Sequence, residues 1–335
     1  MTDTRPIEAR IAVRASVAPD ICALEIEARD GTPLPAFDAG AHIDVHVDGF
    51  VRQYSLLGAP CAAPARYRIA VLKTAASRGG SEAVHARLHA GSALRISVPR
   101  NLFPLQPQSP WSLLVAGGIG ITPLLSMAAA LHAAGSPFEL HYCARSRGAM
   151  AFVDELLRSP FAHAVHLHPD DEAAFDAARV LVGRPGDARL YVCGPLGFMD
   201  HVLCTAKAAG WDERRLHHES FQPVTAAQGD RGFELVAARS GRRIAVAAGE
   251  TALQALRREG IEIASSCEQG VCGSCLTPVL EGRVEHRDAF LTAQEQALHD
   301  QFLPCCSRAF GEALTLDLSG RCGGRLQGRR VGTPS

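Results

Sequence analysis

The sequence predicts a multidomain protein in three parts: an antiparallel β-barrel, an α/β domain on a parallel sheet, and an α+β domain around a cysteine-rich loop. Three observations carry this reading. Short alternating apolar runs, divided by turn residues, fill the chain to about Gln106. From Trp111 to about Phe221, apolar strands alternate with helical segments. Beyond a polar stretch, Cys267, Cys272, Cys275 and Cys305 follow the spacing C-x4-C-x2-C-x29-C.

In the first part, Ala41-His42-Ile43-Asp44-Val45-His46-Val47 and Tyr67-Arg68-Ile69-Ala70-Val71 alternate with a period of two, as strands of a barrel or sandwich do. The strand Ile69-Ala70-Val71-Leu72-Lys73 leads towards Ser77-Arg78-Gly79-Gly80-Ser81. Adjacent glycines expose backbone N–H groups, Arg78 adds charge and Ser81 adds a hydroxyl, so this loop suits a phosphate. The run Val98-Pro99-Arg100-Asn101-Leu102-Phe103-Pro104-Leu105 reads as packing at a domain junction.

The second part opens with the apolar strand Leu113-Leu114-Val115-Ala116, then the turn Gly117-Gly118-Ile119-Gly120-Ile121-Thr122-Pro123. Pro123 fits a first helical turn, where its missing N–H costs nothing. Glycines admit a pyrophosphate close to the backbone, and a helix N-terminus supplies free N–H groups and a favourable dipole. A second strand end, Leu190-Tyr191-Val192, runs into Cys193-Gly194-Pro195, which places a thiol where open α/β sheets bind ligands. Helices are expected at Leu124–Leu131, Ala151–Leu157 and Leu196–Ala209, and strands at Phe138–Tyr142 and Tyr191–Cys193. Glu219-Ser220-Phe221 closes the block, and the polar, aperiodic stretch from Gln222 to Arg231 reads as a linker.

The third part begins near Phe233. Thr251 caps a short helix through Arg258. The cysteine spacing is that of a plant-type [2Fe–2S] cluster, with three thiolates from one tight loop and a fourth from a distant segment. Zinc sites carry paired C-x2-C units or Cys with His at short spacing, and this run has neither. Gly270, Gly273, Ser265, Ser266 and Ser274 let backbone N–H groups reach the sulfurs. Cys306 competes with Cys305 for the fourth position; spacing favours Cys305, and in an extended backbone Cys306 points the other way. The tail after Gly320, rich in Gly and Arg, reads as disordered.

Composition narrows the function class. A net charge of −1 offers no basic stripe for nucleic acid. No run reaches the roughly eighteen apolar residues of a membrane span, and the first residues carry no apolar signal core. Eleven cysteines, four of them in the cluster motif, suit a reducing compartment, and the cytoplasm is expected.

Together these motifs resemble the phthalate dioxygenase reductase type of the ferredoxin–NADP reductase superfamily, over roughly residues 8 to 318. The segments Cys267 to Leu276 and Cys305-Cys306-Ser307-Arg308 resemble the vanillate-demethylating reductases within it. The resemblance implies an FMN-binding barrel over 1–107, an NAD-binding domain over 108–222, a linker over 223–232, a β-grasp ferredoxin domain over 233–320 and a tail over 321–335. Its flavin motif falls on Arg52-Gln53-Tyr54-Ser55: Tyr54 to stack on the isoalloxazine, Arg52 to pair with phosphate, Ser55 to hydrogen-bond N5. Lys73, Arg78, Gly79, Gly80 and Ser81 complete the flavin set, and the family's loop chemistry implies FMN over FAD. Gly117, Gly118, Gly120, Thr122, Pro123, Arg145, Cys193, Gly194, Pro195 and Phe221 form the nicotinamide set, with Ser55 and Cys193 at the reacting atoms. NADH is favoured, although Ala144-Arg145-Ser146-Arg147 suits a 2′-phosphate and leaves NADPH open. His217 and His218 are expected at a surface or junction.

The implied function is the reductase component of a two-component oxygenase, passing electrons from NADH through FMN and the cluster to a Rieske-type partner, with vanillate O-demethylation as the associated chemistry. A monomer with a small docking face around the cluster is expected. Two alternatives stay open: a stand-alone diaphorase reducing quinones or ferric chelates, and a ferredoxin-type carrier whose flavin domains are degenerate.

Overall fold

The computed structural model describes residues 6–74, 79–106, 109–172, 174–184, 186–221, 229–265, 267–268, 270–288 and 290–318. The chain forms two compact units, Met1–Gln222 and Pro223–Ser335.

The first unit opens with an antiparallel sheet of β1 (Ile7–Ala18), β2 (Ile21–Ala28), β3 (Ala41–Val47), β4 (Phe50–Ser55), β5 (Tyr67–Leu72), β6 (Ala93–Ile96) and β7 (Arg100–Asn101), with α1 (Gly80–Arg87) before β6. The order is β4-β3-β6-β1-β2-β5, with β7 on β3. Strands β4 and β5 at the two ends also approach one another, so the sheet curls towards a barrel. Asp48 (φ 46°) and Gly49 (φ 79°) make the β3–β4 hairpin; two successive positive φ values match the right-handed strand twist. Ile11, Leu24, Ile26, Ile43, Leu56, Ile69 and Ile96 fill the interior with at most 1% exposure. Each contributes about 2 kcal/mol of apolar burial.

A parallel sheet follows: β8 (Ser112–Gly117), α2 (Ile121–Ala133), β9 (Phe138–Ala144), α3 (Val153–Arg158), β10 (Val165–Pro169), α4 (Ala177–Leu181), β11 (Arg189–Cys193), α5 (Leu196–Ala208) and β12 (Leu216–Glu219). The expected alternation is present, with ends shifted by a few residues. The order β10-β9-β8-β11-β12 reverses direction between β8 and β11, and that switch point opens a crevice at the carboxyl ends of the strands. Central β8 is buried along its whole length. Leu114, Ile121, Leu124 and Tyr191 share one apolar cluster with Ile21, Leu57 and Ala70 of the barrel. Phe103 belongs to it too, edge-on to Tyr191 at 5.9 Å, as expected of a junction residue.

The second unit holds β13 (Phe233–Ala237), β14 (Arg243–Val246), α6 (Ala252–Arg258), β15 (Thr277–Glu281), β16 (Val284–Glu285), α7 (Ala293–Leu298), β17 (Gln301–Phe302), β18 (Arg308–Ala309) and β19 (Ala313–Leu316). The main sheet runs β14-β13-β19-β15-β17, with β13 and β19 parallel, and β16 pairs with β18. Thr251 caps α6 as expected, in a reciprocal box with Gln254. Ala252, Leu253, Ala255 and Leu256 face the core with Phe233, Ile244, Phe302 and Leu314.

One segment differs from expectation. Asp230, placed in the linker by its polar surroundings, has a buried side chain that receives two hydrogen bonds from Arg287, at 3.0 and 2.6 Å. Charge complementarity, which periodicity does not report, draws it into the second unit. Residues 222–228 of the expected linker and 321–335 of the expected tail lie outside the described residues.

Candidate redox sites

The crevice of the first unit is built by close backbone packing. A Cβ on Gly120 would lie 2.2 Å from the Cys193 carbonyl oxygen, and one on Gly194 2.9 Å from the Gly117 Cα. A Cβ on Gly117 would meet Phe198 at 2.8 Å and Pro195 at 3.0 Å. The glycine turn is therefore pressed against Cys193-Gly194-Pro195, where only glycine fits. Gly118 is glycine for another reason: its φ is +54°, with open space beyond. Thr122 is buried and donates its hydroxyl to the Ile119 carbonyl at 3.0 Å, while Pro123 occupies the first turn of α2.

Strand register brings the remaining groups to the same end of the sheet. Cys193 pairs with Ala116 on one side and Glu219 on the other. Ser55, the last residue of β4, donates to the Glu219 carboxylate at 3.4 Å. Glu219 keeps some exposed surface, yet protein surrounds its carboxyl; burial pushes it up to about 8 against the hydrogen bond from Ser55. Burial, then the neighbouring Glu219 charge, pushes the Cys193 thiol well above its ordinary value. Cys193 is thus a neutral, fully buried thiol, suited to shaping a pocket and unsuited to acting as a nucleophile.

Beside this crevice, Gly79 (φ +95°) and Gly80 open α1, and a Cβ on Gly80 would meet the Arg52 side chain at 2.5 Å. Arg52 lies over the Phe50 ring and donates to the Val51 carbonyl at 2.8 Å. Ser81 accepts from the Thr74 N–H at 3.3 Å. The helix start, the glycines, the guanidinium and the hydroxyl thus lie close together, and they are the kinds of donor a phosphate takes. Tyr54 lies next to it on β4, half-buried. Lys73, Arg145 and Phe221 are exposed, and among the described residues no side-chain hydrogen bond or ion pair ties them to this group. Arg78 falls outside the described residues. His217 stacks on Tyr191, its register partner on the neighbouring strand, at 4.8 Å between ring centroids.

The second unit gathers the cysteines. The loop between α6 and β15 carries Glu268, Gly270 and Gly273 at φ +55°, +76° and +69°. These left-handed turns fold the loop back on itself. Cys272 lies in hydrogen-bonding reach of Cys267 and 3.2 Å from the Ser274 hydroxyl; the Cys267 contact pulls its thiol down to about 5 against burial. Cys305 lies against Cys275, and that contact, followed by Cys306 and burial, raises its thiol. Cys306 does not point away from Cys305 as an extended backbone would make it: Pro304–Cys306 form a turn, the two thiols lie in hydrogen-bonding reach, and the Cys306 Sγ would be 2.5 Å from a Cβ on Gly270 and is 3.6 Å from the Leu303 carbonyl. Four thiols paired this closely are a donor set for iron, and Gly270 leaves room that a side chain would fill. Ser266 and Gln269 fall outside the described residues. Arg308 braces the fourth-cysteine segment, donating to the carbonyls of Glu250 at 2.7 Å, Arg231 at 3.0 Å and Ala247 at 3.2 Å.

A profile described as a 2Fe-2S iron-sulfur cluster binding domain matches residues 236–310. The chain is 51% identical over 317 residues to vanillate O-demethylase oxidoreductase of Pseudomonas putida, covering 93% of this chain and 100% of that protein. The chain belongs to the phthalate dioxygenase reductase-type family. A solved phthalate dioxygenase reductase, described as modular for electron transfer from pyridine nucleotides to [2Fe-2S], matches with a TM-score of 0.73 and 37% identity, over 93% of this chain and 98% of that one. An intact type IV self-sufficient cytochrome P450 monooxygenase matches with a TM-score of 0.76 and 39% identity, over 93% of this chain and 41% of that longer one. Family, multidomain fold and oxidoreductase class thus agree with the sequence-based expectation, and members of this family serve as reductase components of oxygenase systems. Sequence reasoning missed Glu219. Its position at the carboxyl end of a short strand, in register with Cys193, is the one signal that marks it.

Proposed function

We propose that this family member is the NADH-oxidising reductase component of a two-component, Rieske-type oxygenase, using FMN and a [2Fe–2S] cluster. The observation that carries the proposal is the convergence of Ser55, Glu219 and Cys193 beside the Gly117–Gly120 turn. It brings a hydroxyl, a carboxyl and a thiol to the carboxyl ends of the parallel strands, where open α/β sheets bind their ligands. When bound, FMN converts the two-electron chemistry of NADH into the single electrons a cluster accepts.

The chain's own residues hold and orient. Gly79, Gly80, Ser81 and Arg52, with Arg78, bind the flavin phosphate, Tyr54 covers the ring and Ser55 aims its hydroxyl at the reacting edge. Gly117, Gly118, Gly120, Thr122 and Pro123 bind the pyrophosphate at the start of α2, while Cys193, Gly194 and Pro195 wall the nicotinamide pocket. NADH is favoured because the acidic turn Asp170-Asp171 is tied to the end of β9 by the Asp170 N–H to Ala144 carbonyl bond, 2.8 Å, beside Arg145. Cys267, Cys272, Cys275 and Cys305 hold the cluster. Residues 1–107, 108–222 and 233–320 act as flavin, nucleotide and cluster modules, with the linker ending before Asp230 and the tail running over 321–335.

The oxygenase docks at the cluster loop of a monomeric reductase in the cytoplasm. Cys272 is the most accessible of the four cysteines. Phe290, 42% exposed, presses on Gly273 of the same loop and gives a partner an apolar foothold. Among the described residues, no helix is long and apolar enough to cross a membrane.

Reduction of cytochrome c, a one-electron acceptor, separates this reading from a diaphorase. Cys272→Ser should abolish NADH–cytochrome c activity and leave NADH–ferricyanide activity near the wild-type level. Equal retention of both would make the cluster dispensable and favour the diaphorase.

A further inference from the structure

The parallel pairing of β9 with β10 assembles a group of side chains that the electron-transfer reading does not use. His141 and His166 are register partners, and Glu139 and His168 lie two positions away on the same strands. Alternation along each strand puts all four on one face of the sheet. One donor atom each from Glu139, His141 and His166 lies within 4.8 Å of the others. His141 is buried and stacks on His166 at 4.7 Å between ring centroids; its Nδ1 is 2.9 Å from His168 Nε2 and its Nε2 is 3.2 Å from Glu139 Oε2.

We propose that Glu139, His141 and His166 form a binding site for a divalent transition metal of the zinc type, with His168 and Arg184 as its outer support. Imidazole with a single carboxylate is a donor set that zinc accepts and that calcium or magnesium does not favour. His168 supplies the partner that metal-bound histidines require: an imidazole Nδ1–H donated to His168 leaves the Nε2 lone pair of His141 facing the metal. Arg184 donates one bond to each Glu139 oxygen, at 2.9 and 2.8 Å, and so fixes the carboxylate. Each oxygen carries two lone pairs, so the direction now shared with His141 stays available. The metal takes the place of the proton between these two groups. Its positive neighbour Arg184 weakens binding and places the expected affinity in the micromolar range. Tetrahedral zinc needs donor atoms about 3.3 Å apart. His166 closes that gap by turning its exposed ring on β10, the outer strand of the sheet.

The test is equilibrium dialysis of the full chain, loaded with FMN and cluster, against Zn²⁺ alone, with metal analysis and the visible spectrum recorded together. One zinc per chain is expected, with the cluster absorbance unchanged. His166→Ala, an exposed position, should weaken binding at least about tenfold, and His168→Ala about tenfold through loss of the supporting hydrogen bond. Absence of bound zinc at ~100 µM, about a hundredfold above a Kd of about 1 µM, would overturn the proposal. So would undiminished binding in both His166→Ala and Glu139→Gln, or zinc uptake that bleaches the cluster, because the metal would then sit elsewhere.

Discussion

Ser55 and Glu219, 164 positions apart in sequence, meet at 3.4 Å, hydroxyl to carboxylate. One ends β4 of the antiparallel sheet and the other ends β12 of the parallel sheet. Each strand alone has an ordinary terminus; their contact joins the flavin-type cradle to the nucleotide-type crevice. The apolar cluster shared by the two sheets fixes that contact.

Glu219 should make folding pH-dependent. Burial holds its carboxyl at about 8, against an ordinary 4.5. Unfolded, the group ionises as pH rises through 4.5; folded, it keeps its proton to about 8. The folded state therefore loses relative stability between those values, and the contribution is fully present only below them. Glu219→Gln removes the titration while keeping the shape. Its thermal unfolding, measured against wild type in the same cofactor-loaded state, should gain on the order of 2 kcal/mol from pH 5 to pH 8. A difference constant across that range would show a carboxyl in free exchange with water.

Gly120 and Gly118 should respond differently to alanine. A Cβ at Gly120 meets backbone of Cys193 and Gly194, which has nowhere to go, whereas Gly118 faces open space. Gly120→Ala should raise the NADH KM at least about tenfold and cost about 2–4 kcal/mol of stability. Gly118→Ala should cost about 1 kcal/mol through its positive φ alone. NADH–ferricyanide kinetics and thermal unfolding of both variants check this, and similar behaviour of the two would contradict it.

Cys305 and Cys306 should separate cleanly. Cys305→Ser should purify with flavin and with iron near zero, while Cys306→Ser should keep two irons per chain. Gly270→Ala, which drives a methyl into the Cys306 sulfur, should lose the cluster as Cys305→Ser does. Iron content and visible absorbance decide the matter; the reverse result for the two cysteines would move the fourth ligand to Cys306.

Asp230 should matter to the second unit alone. Its side chain is 3% exposed, paired with Arg287 and 3.7 Å from Arg308. Asp230→Asn removes the buried carboxylate that Arg287 and Arg308 share, leaving Arg287 with the more exposed Glu285 at 2.6 Å, and should destabilise that unit by about 1–3 kcal/mol. The denaturant midpoint for cluster bleaching should fall while the midpoint for flavin release stays put. An unmoved cluster midpoint would return Asp230 to the linker.

Much of this was legible because chemistry constrains spacing. Three thiolates on one loop need the C-x4-C-x2-C pattern, and a strand running into Gly117–Gly120 needs glycine wherever Cys193 presses on it. What stayed hidden depends on long-range pairing. Glu219 gains its role only from Ser55, and Asp230 only from Arg287. Glu139, His141, His166 and His168 are unexceptional until β9 and β10 pair in register. Strand β3 reads as alternating, yet all its residues but His46 are buried, because Asp44 takes two bonds from Arg100, at 2.6 and 2.7 Å. Tertiary pairing overrides what local polarity suggests.

The central claim is a complete relay within one chain, and an anaerobic titration of the purified protein with NADH tests it most directly. The account predicts that flavin absorbance and the broad iron–sulfur band bleach together at substoichiometric NADH. Flavin bleaching beside a fully loaded cluster that stays oxidised, or a protein that holds no flavin, would contradict it.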